Sequence, residues 1–214
     1  MVGVCSGIGL ILADFPSKLN VAYNKAMAIV TIGGNVGAGK TTLAARLAEA
    51  LGCDELYVGG LMREVAADRG MTIEEFYVQL KHDPELERSI DAQQVKLMNE
   101  KENLVVQGRV AWYFAKQSKH PSWNVFLAVS PDVGAQRTGQ RDENLGRPID
   151  EIRRANVART ATELERYKSL YDIDNFLDPK YYDYVLDTTD LTEDEVLKKV
   201  IASIPGNKKG ADSR

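Results

Sequence analysis

Short, unbroken apolar runs alternate along the chain with longer segments of helical character. Strands that are covered by helices on both faces of a parallel sheet have such continuous runs, because neither face contacts water. We therefore predict five strands from this pattern. The runs are 28–32, 56–58, 104–106, 125–129 and 184–186.

The segments between these runs carry helix signals. Leucines at positions 43, 47 and 51 recur every four residues, which predicts an amphipathic helix over 41–51 that packs on the sheet. Strands that alternate with helices indicate an α/β domain with a mainly parallel sheet. Three further helix starts are predicted from capping residues: Thr72 with Glu75, Asp83 with Pro84, and Thr192 with Glu195.

Composition and charge narrow the class of protein. A chain of 214 residues with 44% hydrophobic residues can bury one sizeable core. The net charge of -4 argues against nucleic acid as a partner. The two cysteines, Cys5 and Cys53, have neither disulfide-framework nor zinc-site spacing, and no apolar stretch reaches the length of about 18 residues that spans a membrane. We expect a cytoplasmic monomer without membrane partners.

The two ends of the chain differ from the part between them. Residues 1–26 precede the first predicted strand, and their apolar segment 7–15 lacks the basic flank of a signal peptide. We expect this N-terminal extension to be disordered or dispensable. Residues 27–204 are predicted to form a single domain, and 205–214 a polar tail.

A glycine-rich decapeptide, GGNVGAGKTT, follows the first apolar run. Its residues 34–41 fit the P-loop pattern G-x-x-x-x-G-K-[ST] between a strand and a helix. Glycines let backbone N–H groups surround a phosphate, Lys40 would bridge the β- and γ-phosphates of ATP, and the Thr41 hydroxyl would bind Mg²⁺. The predicted nucleotide-binding residues are Gly34, Asn35, Val36, Gly37, Ala38, Gly39, Lys40, Thr41 and Thr42.

Six arginines and no lysine lie between positions 137 and 159. Arginine suits the planar, bidentate contacts that phosphate oxygens accept. The sequence DENLGRPID (142–150) is typical of a loop tip, which predicts a helical lid over about 138–158 that excludes water. As an alternative, acidic neighbours could pair with these arginines on a helix surface: Asp142, Glu143, Asp150 and Glu151.

Several separated segments together resemble the archaeal-type cytidylate kinases, a family of P-loop nucleoside monophosphate kinases. The resemblance extends from Met27 to about Ile204 and is fairly specific in the order and spacing of its segments. These are TIGGNVGAGKTTLAARLAEALG at the P-loop, then 63–76, 83–91, VVQGR at 105–109, 159–174 and 184–196.

The resemblance implies a three-layer α/β/α fold with strand order 2-3-1-4-5, and transfer of a phosphoryl group from ATP to CMP or dCMP with Mg²⁺. It also implies roles for individual residues. Arg63 and Arg109 would hold the acceptor phosphate, and Arg159 and Arg166 the transferring phosphate or the acceptor. The remaining implied roles are Arg137 and Arg141 at the ATP phosphates, Asp187 and Thr188 near the ATP base, and Gln107 at the metal.

Two departures from the family pattern bear on the substrate. Residues 57–60 are Tyr-Val-Gly-Gly where the family has Ser-Ala-Gly-Asp, so a polar side chain near the acceptor is missing. Gln107 replaces a glutamate and contributes no negative charge to a metal site. We interpret the aromatic residues of 110–123 as packing residues rather than as a platform for base stacking.

Two alternatives stay open: a kinase of the same fold that acts on AMP, UMP or a metabolite, and a catalytically weak nucleotide-binding module.

Overall fold

The computed structural model describes residues 29–101, 103–141 and 144–206, apart from the side chain of Glu74. The predicted extension over 1–26 and the part of the polar tail beyond Gly206 lie outside these residues. Within the described part of the chain, no helix is long and apolar enough to cross a membrane.

The five predicted strands are present and form one parallel sheet. Its order is β2-β3-β1-β4-β5, as the family resemblance implied. The inner strands β1 and β3 are buried along their whole length, whereas β2 at the edge is partly exposed. The strands are β1 (Ile29–Gly34), β2 (Asp54–Tyr57), β3 (Leu104–Gln107), β4 (Ser122–Ala128) and β5 (Tyr184–Asp187).

Eight α-helices connect and follow these strands in the described residues. The capping boxes at Thr72 and Thr192 are both confirmed, with each hydroxyl accepting a hydrogen bond from the N–H group three residues later. The helices are α1 (Lys40–Leu51), α2 (Val58–Asp68), α3 (Ile73–His82), α4 (Pro84–Glu100), α5 (Ala111–Ala115), α6 (Pro131–Gly139), α7 (Ile149–Tyr171) and α8 (Glu193–Ser203).

Most of the observed strand ends differ from the predicted runs by one to three residues, and the difference at the end of β2 changes the type of element. Val58, assigned from its apolar run to the second strand, begins α2 instead. The helical turn places the Tyr57 ring against the backbone of Gly59 and Gly60, where a Cβ atom would lie 2.8 Å and 2.9 Å from ring carbons. A three-residue apolar run carries no period that could separate the end of a strand from the start of a helix.

The helices cover both faces of the sheet. On one face α1 and α8 pack against alternate strand residues such as Val30 and Ile32. On the other face α4, α5 and α7 pack against Ile29 and its neighbours, with Trp112 and Phe114 buried as the packing interpretation predicts. A separate apolar cluster around Phe76 joins α2, α3 and α4. The three-layer α/β/α architecture is therefore confirmed.

The sheet topology determines where the site forms. Gly34 ends β1 and Gln107 ends β3, and the two strands are neighbours with Ile32 paired to Gln107. Loops that follow adjacent parallel strands meet at the carboxyl edge of the sheet, where ligands bind in open α/β folds. The P-loop and the segment from Gln107 to Arg109 are thereby brought together.

Candidate active site

The P-loop connects the end of β1 to the start of α1. Gly39 is the N-cap residue of α1, with φ at 86° and no side chain to accept hydrogen bonds from the first helical turn. The N–H groups of that turn and the positive end of the helix dipole therefore face the loop without a side-chain cap. Such a helix start is suited to binding a phosphate.

Two glycines of the loop are held in close contact with the neighbouring backbone. A Cβ atom on Gly34, whose φ is 143°, would lie 2.3 Å from the carbonyl oxygen of Leu127. A Cβ atom on Gly37, whose φ is 80°, would lie 2.3 Å from the carbonyl oxygen of Gly134. The loop is thus packed against β4 and α6 at positions that only glycine can occupy.

Lys40 points its ammonium group back into the loop, where Nζ donates a hydrogen bond to the carbonyl oxygen of Asn35 at 2.5 Å. Burial lowers the pKa of Lys40 well below its ordinary value, and the positive charge of Arg109 lowers it further. The carboxylate of Glu163 acts in the opposite direction. Lys40 is therefore a desolvated cation whose charge depends on its neighbours.

Arg109 and Arg159 meet at one carboxylate, that of Glu163 on α7. Arg109 Nε lies 2.7 Å from Glu163 Oε2, and Arg159 Nε donates to Glu163 Oε1 at 3.1 Å. Arg109 also donates to the carbonyl oxygen of Gly34 at 2.8 Å, which joins it to the P-loop. Sequence reasoning missed Glu163, although its position four residues after Arg159 on one helix was a signal for an ion pair.

The Arg63 side chain is held against the N-terminal end of α2. Its Nη1 donates to the Tyr57 hydroxyl at 2.7 Å and to the carbonyl oxygen of Gly59 at 3.1 Å. The guanidinium carbon also lies 5.7 Å from the centre of the Tyr57 ring. Tyr57, one of the departures from the family pattern, therefore contacts the arginine that the resemblance assigns to the acceptor phosphate.

Arg166 pairs with a deeply buried glutamate. Its Nε and Nη2 both lie 2.5 Å from Glu87 Oε1, and Glu87 is 2% exposed. Burial raises the pKa of Glu87, while the positive charge of Arg166 lowers it. The guanidinium carbon lies 5.0 Å and 5.1 Å from the ring centres of Tyr77 and Tyr167. Arg166 is thus fixed in one orientation.

Two clefts meet at the P-loop. The first runs from the loop between α2, α4 and α7, and the second lies between α1, α6 and the segment after β5. They share four lining residues, Gly37, Gly39, Thr42 and Arg141. The first is also lined by Lys40, Thr41, Tyr57, Arg63, Asp91, Gln94, Gln107, Arg109, Phe114, Arg159, Glu163, Arg166 and Tyr167, among others. The second is also lined by Arg46, Arg137, Gln140, Thr188, Leu191 and Glu193, among others.

The predicted site residues fall unevenly between these clefts. Arg137 lies in the second, where it donates to the Thr188 hydroxyl at 3.1 Å and to the Thr188 carbonyl oxygen at 2.8 Å. Asp187 is an exposed residue that accepts hydrogen bonds from the N–H and hydroxyl groups of Thr189. These bonds lower the pKa of Asp187. Thr188, the neighbour of Asp187, is the one that faces the cleft.

Two of the lid arginines follow the ion-pair alternative. Arg147 Nη2 lies 2.7 Å from Glu151 Oε1. Arg153 Nε lies 3.2 Å from Asp132 Oδ1, and Arg153 also contacts Asp150. The other acidic residues weighed in that alternative, 142 and 143, lie outside the described residues. Both arginines are therefore engaged on the helix surface, whereas Arg141 lines both clefts.

Thr41 and Gln107 are neighbours at the base of the P-loop, with the Thr41 hydroxyl donating to Gln107 Oε1 at 3.5 Å. Both side chains offer uncharged oxygen atoms. Mg²⁺ is bound in many phosphate-transfer sites by one or two protein oxygens together with water and substrate phosphates. The donor set fits a magnesium ion that is held mainly by a bound nucleotide.

Comparison with known proteins points to one family. The model of the cytidylate kinase-like family matches residues 29–190. The chain is 35% identical over 183 residues to the cytidylate kinase of Methanopyrus kandleri, covering 82% of this chain and 92% of that one. It is 33% identical over 180 residues to the cytidylate kinase of Pyrococcus furiosus, covering 84% and 90%.

Solved structures agree on the fold alone. A shikimate kinase from Bacteroides thetaiotaomicron superposes with a TM-score of 0.54 at 22% identity, over 82% of this chain and 97% of that one. An uncharacterized protein from Eubacterium ventriosum gives a TM-score of 0.62 at 18% identity, over 84% and 99%. Both support the three-layer architecture.

Proposed function

This chain belongs to the cytidylate kinase-like family of phosphotransferases, and on that premise we propose that it transfers the γ-phosphoryl group of ATP to CMP or dCMP. The products are ADP and CDP or dCDP. An oxygen of the acceptor's phosphate forms a bond to the γ-phosphorus, and the bond from that phosphorus to the β,γ-bridging oxygen of ATP breaks.

The observation that carries this proposal is the meeting of two clefts around one P-loop. A reaction between two nucleotides needs two binding clefts whose phosphate ends converge. The four lining residues that the clefts share, with Lys40 beside them, provide that point of convergence. We assign the second cleft to ATP and the first to the acceptor.

The charges of the site suit the chemistry of this step. The acceptor phosphate is already an anion, so transfer depends on positioning and on neutralising charge more than on a side-chain base. Lys40, Arg137 and Arg141 would contact the phosphates of ATP. Arg63 and Arg109 would hold the acceptor phosphate, and Arg159 would lie between the two substrates.

Glu163 has a positioning role in this proposal. It holds Arg109 and Arg159 on either side of one carboxylate. Two guanidinium groups that contact the same carboxylate would repel each other if that carboxylate were absent. Glu163 therefore keeps both arginines directed into the first cleft until phosphate contacts replace part of the interaction.

Thr41 and Gln107 would hold Mg²⁺ together with the phosphates. When bound, the ion neutralises charge on the phosphate oxygens. Gln107 supplies an uncharged oxygen, so we expect magnesium to be recruited mainly with ATP.

The test is ADP formation in a coupled assay with ATP and Mg²⁺, using CMP, dCMP, UMP, AMP, GMP and dTMP as acceptors. We expect rapid turnover on CMP or dCMP that is lost by about 10³-fold or more in Lys40→Ala, because Lys40 stabilises transition-state charge. Lys96→Ala is the matched control, since Lys96 is an exposed residue of α4 paired with Glu100. Turnover on another acceptor would identify a different substrate for the same reaction. ATP binding without turnover on any acceptor would contradict the proposed transfer to CMP or dCMP.

A further inference from the structure

Two polar side chains of α4 lie buried in the wall of the first cleft. Gln94 is 1% exposed and Asp91 is 5% exposed, and both line the cleft that we assign to the acceptor. Neither belongs to the P-loop or to the arginines around it. Buried polar groups cost free energy unless hydrogen bonds satisfy them, so the partners of this pair are informative.

Asp91 is held as a hydrogen-bond acceptor. Its Oδ1 accepts from Gln94 Nε2 at 2.5 Å, and its Oδ2 accepts from the Tyr171 hydroxyl on α7. Burial raises the pKa of Asp91 to about 6. Both of its oxygens already accept a hydrogen bond, so the carboxyl group acts as an acceptor towards Gln94.

This contact fixes the orientation of the Gln94 amide. If the amide were turned by 180°, its oxygen would face a carboxylate oxygen, and two acceptors would be opposed in a buried site. The Nε2 atom therefore stays on the side of Asp91. One N–H of Gln94 is used there, while the other N–H and Oε1 remain, and no hydrogen bond to Oε1 occurs among the described residues.

An amide with a fixed orientation presents an acceptor beside a donor. That pair matches a base edge with an exocyclic amine next to an unprotonated ring nitrogen. In cytosine these groups are the N4 amine and N3. Uracil has the reverse arrangement, a carbonyl oxygen at position 4 and an N–H at position 3, and would oppose like groups at both contacts.

We propose that Gln94 recognises the base of the acceptor nucleotide and selects cytosine over uracil, and that Asp91 is the positioning residue that fixes the Gln94 amide. Met62 and Tyr167 line the same cleft, and their side chains would contact the faces of the ring. This inference rests on the proposed function, because it assigns the first cleft to a nucleoside monophosphate.

The substitution Asp91→Asn tests the positioning role. An asparagine side chain can donate as well as accept, so the Gln94 amide could turn to match uracil. Wild-type protein is expected to prefer CMP over UMP by about tenfold or more in kcat/KM, and Asp91→Asn to lower that ratio by about tenfold. The KM for ATP is expected to stay within about twofold of wild type, which a general loss of structure would not allow.

The substitution Gln94→Met tests the direct contact. Methionine has nearly the volume of glutamine but no hydrogen-bonding amide. The kcat/KM for CMP is therefore expected to fall about tenfold or more, and the ratio of kcat/KM for CMP to that for UMP to move towards one. Gln93→Met is the matched control, because Gln93 is the exposed neighbour on the same helix. Its CMP to UMP ratio is expected to stay within about twofold of wild type.

The outcomes separate this inference from the function on which it rests. If wild-type protein transfers phosphate to CMP and both variants keep the wild-type ratio, the inference is overturned while the kinase proposal stands. Equal use of CMP and UMP by the wild-type protein would also overturn the inference alone. If the wild-type protein transfers phosphate to no nucleoside monophosphate, the proposed function itself is overturned.

Discussion

The two P-loop glycines Gly37 and Gly39 allow backbone strain and steric overlap to be measured separately. Both have positive φ, 80° and 86°, so alanine at either position is forced into an unfavourable backbone conformation. Their surroundings differ. A Cβ atom on Gly37 would lie 2.3 Å from the carbonyl oxygen of Gly134, whereas a Cβ atom on Gly39 meets nothing within 4 Å.

The structure gives the size of the expected difference. Each alanine costs roughly 1–2 kcal/mol for its left-handed conformation. In Gly37→Ala the backbone of Gly134 must also move by at least 0.7 Å, since Cβ contacts under 3.0 Å essentially never occur and this one would be 2.3 Å. Overlap of this kind costs about 1–3 kcal/mol more.

Thermal unfolding of the two variants measures this difference. At about 2–4 °C per kcal/mol for a domain of this size, Gly37→Ala should melt roughly 2–12 °C below Gly39→Ala. Gly39→Ala is the matched control, because it carries the conformational cost without the overlap. Equal Tm losses in the two variants would refute the tight packing of the P-loop against α6.

Three further predictions concern charged side chains of the site. Arg109→Ala should raise the KM for CMP about tenfold or more and leave the Kd for ATP within about twofold of wild type. Steady-state kinetics measures the KM and an ATP titration measures the Kd. A larger change in the Kd for ATP than in the KM for CMP would contradict this prediction. Glu163→Gln removes a negative charge that raises the pKa of Lys40, so the pKa of Lys40 should fall further. Lys40 would then lose its proton at a lower pH than in wild type, and ATP affinity should decline at that lower pH. ATP titrations across alkaline pH test this. Arg137→Ala breaks the contacts to Thr188 and should raise the Kd for ATP about tenfold without changing KM for CMP, which calorimetry and kinetics test together.

Features with local causes could be predicted from the sequence. The P-loop residues lie within ten consecutive positions between a strand and a helix, and the capping boxes at Thr72 and Thr192 each involve residues three apart. Their partners are therefore visible in the sequence itself. The strands β1, β3 and β4 were also predictable, because burial on both faces requires continuous apolar runs. The edge strands β2 and β5 are only partly buried, and their apolar runs are correspondingly short.

Features that depend on contacts across the fold could not be predicted. Asp91 meets Tyr171 across 80 residues of sequence, and Glu163 on α7 meets Arg109 after β3. A carboxylate on a helix has the same local pattern whether it faces water or an arginine in a cleft. For that reason sequence reasoning weighted the arginines and missed the acidic partners that orient them.

The lid arginines illustrate the same limit. The absence of lysine between 137 and 159 predicted a phosphate-binding cluster, yet Arg147 and Arg153 pair with carboxylates on the helix surface. Arg141 is instead placed at the junction of the two clefts. Composition predicted the kind of residue, but it could not predict which arginine would line the clefts.

The most direct test of phosphoryl transfer follows the γ-phosphate itself. Protein, Mg²⁺, CMP and ATP labelled with ³²P in the γ-position are mixed, and the labelled products are separated with time. We predict that the label appears in CDP in step with ADP formation, and that Lys40→Ala abolishes this transfer. Label found only in inorganic phosphate, or in CDP at an unchanged rate in Lys40→Ala, would contradict transfer at this P-loop.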